Sequence, residues 1–188
     1  MYYRSLLSLL LLATSAQAEY AERLILEDVA ASHVDHGCAD PGHTDFKLLA
    51  HYWYKGPDGK VWTVPAGYVV NGGSIPQAAW SIIGGPWSGK FRNATVIHDY
   101  LACERIATSE YVHRLFLDGM LESGVSQVKA WVMYKAVLVG GADWSDVPGF
   151  IAQDPRPVDP EALEKLQEFL ENNEVSLEEL EALELDDF

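Results

Sequence analysis

A chain of 188 residues has room for one domain of ordinary size and is short for two. Hydrophobic residues make up 48% and charged residues 22%, enough to bury a real core, which excludes a wholly disordered, collagen-like or low-complexity protein. The net charge of −15 and a pI near 4.6 argue against nucleic acid as a partner, because phosphate contacts need clustered Lys and Arg.

Residues 1–18 read as an export signal. Arg4 supplies the positive start, residues 6–13 are apolar apart from Ser8, and Ala16, Gln17 and Ala18 match the small-x-small cleavage pattern. The apolar run is far below the roughly 20 residues of a membrane span, so the expectation is a periplasmic or secreted protein with no span after signal removal. Cleavage after Ala18 makes Glu19 the first residue; the alternative is a short uncleaved anchor. The chain's two cysteines, Cys38 and Cys103, are expected to pair in such an oxidising space. A loop of that length contributes about 4 kcal/mol in the chain-entropy model. The alternative is two separate buried thiols, and the absence of Cys-x-x-Cys spacing disfavours a cysteine zinc site.

The body, residues 19–153, is expected to be a single α+β domain: a small antiparallel sheet or hairpin followed by a cluster of three to four helices. Residues 23–29 form one more strand or a short helix. Residues 46–54 are an apolar and aromatic run, and Gly56-Pro57-Asp58-Gly59 turns it into a partner strand at 61–64. Pro65-Ala66-Gly67 then leads into Tyr68-Val69-Val70. Ser74, Ile75, Pro76 and Gln77 open a short helix to residue 83. Longer helices follow at about 90–103, at 109–123 capped by Ser109 and stopped by Gly124, and at 126–139 capped by Ser126.

Charge sets the last segment apart. Residues 19–153 carry a net of −5, and residues 154–188 a net of −11 with only Arg156 and Lys165 as cations. Three prolines stiffen its entry. Asp159 caps a helix with Pro160 at its first position, and Leu163, Leu166, Phe169 and Leu170 make an apolar stripe. Ser176 with Glu179 forms a capping box ahead of Leu180 and Leu183. So small a stripe does not hold itself together. The segment is a solvated acidic helical tail, a docked one, or one that contacts a basic partner.

Residues 64–76 read Val-Pro-Ala-Gly-Tyr-Val-Val-Asn-Gly-Gly-Ser-Ile-Pro, residues 94–103 Ala-Thr-Val-Ile-His-Asp-Tyr-Leu-Ala-Cys, and residues 113–116 His-Arg-Leu-Phe. This ordered set resembles the phage- and bacteria-associated domain of unknown function 1353 across about residues 46–144. Asn71 and His113 stand where that family usually has Asp. The resemblance implies a fold and no activity.

On the helix from residue 90, the stripe Phe91, Ala94, Ile97, His98 and Leu101 faces inward, with Asp99 about 100° round on its flank. Neighbours on a helix diverge and cannot form a Ser-His-Asp relay with each other. His113 falls near the start of the next helix, beside His98 in an antiparallel pair. Two imidazoles and a carboxylate, His98, His113 and Asp99, suit Zn²⁺ or another borderline divalent metal that activates water. The alternatives are a metal-free polar site and a structural hydrogen-bond network. Asn71 and Tyr100 would orient substrate. Ser74 lacks the trailing glycine of a nucleophile elbow, and its capping role accounts for it. The loop with His33, Asp35, His36, Asp40, His43 and Asp45 fits no common ligand spacing. Trp53, Tyr54, Trp62, Tyr68, Trp80 and Trp87 suit core and cross-strand pairs, with an exposed subset able to line a glycan groove.

Three functions follow as expectations. The first is an exported, metal-dependent, hydrolase-like domain acting on the cell wall, with His98, Asp99, Asn71 and Tyr100 in its site. The second is a non-catalytic phage-derived or envelope binding module with a protein or cell-wall partner. The third is an inhibitor or immunity-type protein that uses its acidic tail.

Overall fold

The computed structural model describes residues 18–21, 23–29, 45–72, 79–85, 87–145, 154 and 156–188. The expected export signal apart from Ala18, the loop with Cys38 and its histidines, and the Ser74 turn all lie outside these residues.

Among the described residues, six short strands make two three-stranded antiparallel sheets. The first places β4 (Tyr52–Lys55) between β1 (Glu19–Tyr20) and β5 (Val61–Val64). The second places β3 (Asp45–Leu48) between β2 (Leu26–Val29) and β6 (Val69–Val70). The run at 46–54, read from its composition as one strand, thus divides after Leu48 and serves both sheets. The expected hairpin forms with Tyr52 opposite Val64 and Tyr54 opposite Trp62. Its turn closes through the Gly59 amide on the Gly56 carbonyl at 2.9 Å, with Gly59 at a φ of 81° that a side chain would strain. Alternation does the rest. Trp62 and Val64 point inward while Val61 and Thr63 face water.

The helices are α1 (Trp80–Ile83), α2 (Arg92–Glu104), α3 (Ser109–Glu122), α4 (Gln127–Gly140), α5 (Pro160–Asn172) and α6 (Leu177–Ala182), ending in a 3-10 turn at Leu185–Asp187. Thr108, not Ser109, caps α3, its Oγ1 accepting from the Tyr111 amide at 3.4 Å. Ser109, one residue inside, instead donates its hydroxyl to the Trp144 carbonyl at 2.9 Å and to the Asp143 carboxylate. Gly124, at φ 76°, ends α3 as its position suggests. Ser126 stands at the N-cap of α4, although its side chain makes no cap hydrogen bond.

Two apolar clusters share the body. One gathers the strands against α2, with Tyr52, Tyr54, Val64, Val70, Ile97 and Leu101 nearly sealed from water. The other stacks α3, α4 and the acidic segment. Residues 154–188 are docked. Leu163, Leu166 and Leu180 are fully buried, Asp159 and the Ser176–Glu179 box cap their helices as expected, and Glu181 anchors the far end. Its carboxylate accepts from Tyr134 at 2.7 Å and Arg114 at 3.0 Å, and its carbonyl accepts from Lys135 Nζ at 3.0 Å. Among the described residues no helix is long and apolar enough to cross a membrane.

Candidate functional site

α2 and α3 are joined by residues 105–108, a connection short enough to set them antiparallel and side by side. Arg105 turns the corner in the left-handed region at φ 48°. This packing brings His98, from the inner stripe of α2, against His113, one turn into α3. The His98 Nε2 to His113 Nδ1 distance is 2.9 Å, and the rings are 2% and 4% exposed. Phe116 lies against His98 with ring centres 4.7 Å apart, and Trp144 meets the His113 ring edge-on at 5.8 Å.

The direction of the proton chain follows from one acceptor. His113 Nε2 lies 3.2 Å from the Ala142 carbonyl, which only accepts, so Nε2 carries the hydrogen and neutral His113 keeps its lone pair on Nδ1. His98 must then donate through Nε2–H, which leaves Nδ1 of neutral His98 as an acceptor. That nitrogen is buried and has no hydrogen-bond partner among the described residues. Burial, joined by the nearby His113, holds the His98 imidazole well below its ordinary proton affinity. Burial also lowers His113, opposed by the Ala142 carbonyl and Asp143. The pair is therefore neutral at physiological pH.

Asp99 serves a different wall. It is fully buried, and its Oδ2 accepts from the Gly72 amide at 2.6 Å, tying α2 to the chain leaving β6. Asn71, 5% exposed, is the residue just before that anchor. Tyr100 turns its ring onto Tyr68, edge to face at 4.9 Å, and Tyr68 donates its hydroxyl to Glu104 at 2.9 Å.

The residues expected to share a metal are thus divided. The imidazoles meet each other, and the carboxylate is engaged with Gly72. Among the described residues no group of three or more His, Cys, Asp or Glu side chains converges as a metal site. Cys103 lies in the last turn of α2, and no described cysteine is a free thiol. Its expected partner Cys38 is outside the described residues.

The residues that composition and spacing did not single out are in the segment after α4. Ala142 orients the pair through its backbone, and Trp144 pins the segment by donating its indole hydrogen to the Ala107 carbonyl at 2.7 Å. A backbone acceptor has no residue signature; the tryptophan four residues past the helix is the one available signal.

Residues 46–137 match the family model described as a protein of unknown function, DUF1353. Two relatives from Sinorhizobium fredii are uncharacterized proteins. One, y4jT, is 45% identical over 100 residues, covering 53% of this chain and 30% of its own length. The other, y4iH, is 31% identical over 150 residues, covering 74% of this chain and 63% of its own length. The chain therefore spans less than two thirds of either relative. No solved structure matches. The segment that matches the DUF1353 model holds both sides of the histidine pair, the Asp99 anchor and the hairpin.

Proposed function

We propose that this is an exported, hydrolase-like domain acting on a cell-envelope polymer, with His98 as its general base. The observation that carries the reading is the partnerless, buried His98 Nδ1. Leaving a buried polar atom unpaired costs about 1–3 kcal/mol, and such an atom in a folded protein calls for an explanation. As a base, His98 takes a proton at Nδ1 from a water or hydroxyl that a local opening admits to this buried atom. The imidazolium so formed is held through Nε2–H on His113 Nδ1, whose own Nε2–H rests on the Ala142 carbonyl. A proton affinity lowered by burial keeps the base free at neutral pH. Asn71, placed by the Asp99–Gly72 bond, and Tyr100, its ring set against Tyr68, orient substrate. Export is supported by the cleavage pattern and by a first strand that begins at Glu19, immediately after it. A Cys38–Cys103 bridge belongs to the same proposal.

A second reading, a non-catalytic interaction module, is favoured by the near-complete burial of both rings. There the pair is a clasp between α2, α3 and Ala142. Incubation with purified peptidoglycan, followed by mass spectrometry of released fragments, separates the two. The catalytic reading expects release by the native protein and a loss of at least about 100-fold in His98→Gln with unchanged circular dichroism. No release, with unfolding of His98→Gln, establishes the clasp. Stoichiometric zinc that is lost in a folded His98→Gln variant would replace the base with a metal centre.

A further inference from the structure

A cavity of about 370 Å³ lies between the start of β2 and the start of α2. Its apolar wall is made by Leu24, Leu26, Phe46 and Trp87, the two aromatic rings meeting at 4.8 Å and 61°. Arg23 and Arg92 supply its charge. They come from distant parts of the chain, so their place on one cavity is a product of the fold.

Neither arginine is paired among the described residues. The chain has 28 acidic residues and 13 basic ones, so carboxylates are plentiful. Arg114 is paired with Glu181, and Arg156 donates to the Val139 carbonyl. Arg23 and Arg92 make no hydrogen bond or ion pair among the described residues. Arg92 is also the first residue of a 13-residue helix whose first turn has no acidic residue and whose N-cap, Phe91, offers no side-chain acceptor. The positive end of that helix adds to the same field. Two unpaired guanidiniums beside an aromatic wall suit an anionic group on an apolar body, and a carboxylate is the anion that an organic acid of that shape carries. Guanidinium forks bind carboxylates with two parallel hydrogen bonds, and the volume is in the range of small-molecule sites.

We propose that this cavity binds a small organic acid, its carboxylate held between Arg23 and Arg92 and its aromatic or alkyl body laid against Phe46 and Trp87. The inference is independent of the histidine pair, which faces α3 from the middle of α2.

The probes are 4-phenylbutyrate, its neutral analogue 4-phenylbutan-1-ol, and inorganic phosphate, titrated into the purified protein by calorimetry. The Trp87 indole resonance, assigned with Trp87→Phe, reports position. Expected are saturable binding of phenylbutyrate at least tenfold tighter than of the alcohol, a shift of the Trp87 signal, and a loss of tenfold or more in Arg23→Gln and in Arg92→Gln. Both arginines are exposed, so these variants are expected to melt like the native protein. Equal binding of acid and alcohol, native affinity in both variants, or an unmoved Trp87 signal would overturn the proposal. Phosphate binding as tight as phenylbutyrate would do so in favour of an inorganic-anion site.

Discussion

At the residue scale, the histidine pair has a consequence for acid stability. Both rings bind protons less readily when folded than when unfolded, where histidine titrates near 6.5. Stability is therefore complete above about pH 6.5 and declines as pH falls through that value toward the lowered folded value. Each tenfold difference in proton affinity is worth about 1.4 kcal/mol. Urea titrations at pH 7.5 and pH 5 are expected to show a lower midpoint at pH 5, and a smaller difference in His98→Asn. Asp99 gives a second prediction. Its carboxylate accepts from a buried amide, so Asp99→Ala is expected to cost about 2 kcal/mol by loss of a charged hydrogen bond. Asp99→Asn, which keeps an acceptor, is expected to recover part of that in the same assay.

At the scale of elements, α4 explains the tail. Ala130, Trp131, Val132, Met133, Tyr134, Ala136 and Val137 are all buried, so the helix has no apolar-free face and needs cover on both sides. α3 supplies one cover; α5 and α6 supply the other. Leu166→Ala in α5 is expected to cost 2–5 kcal/mol, roughly the range for emptying a sealed leucine site, read from chemical denaturation. Deleting residues 154–188 would uncover α4, and the expected result is aggregation, measured by light scattering. A stable, monomeric truncated protein would show that the tail is dispensable to the body. Gly119 marks another packed joint. A Cβ there would collide with the Tyr20 hydroxyl and crowd Ala94 at 3.1 Å, so Gly119→Ala is expected to destabilise by about 1–3 kcal/mol as β1 is pushed off α3.

Across the whole molecule, most of the acidity is gathered on one docked layer. The buried leucines hold that layer in place against the mutual repulsion of its exposed carboxylates, which salt screens with a Debye length of about 10 Å at 0.1 M. The melting temperature is therefore expected to rise between 10 mM and 300 mM NaCl, and the rise to shrink when Glu164, Glu168 and Glu171 are changed together to Gln. Much of this plan was legible in the residues. Gly56-Pro57-Asp58-Gly59 marked the hairpin because its turn needs a left-handed glycine, Asp159-Pro160 and Ser176 with Glu179 marked helix starts because caps act locally, and the stripe Ala94, Ile97, His98 and Leu101 marked the buried face of α2 through its period. The neighbouring Thr108 and Ser109 were not told apart as caps, since both hydroxyls serve equally until the chain's path chooses. The residues of the acidic segment do not distinguish solvated from docked, because a stripe of leucines does not name its partner.

What the sequence determined alone is what depends on neighbours a few residues away: element type, turn positions, helix caps and the meeting of His98 with His113 across a short connection. The tertiary structure alone decided which atoms those side chains spend on which partners. It sent Asp99 to the Gly72 amide, gave His113 the Ala142 carbonyl, left His98 Nδ1 without a partner among the described residues, and put Arg23 and Arg92 on the wall of one cavity. The reason is physical: hydrogen-bond direction and burial depend on distances between segments far apart in the chain, and no local pattern of residues encodes those distances.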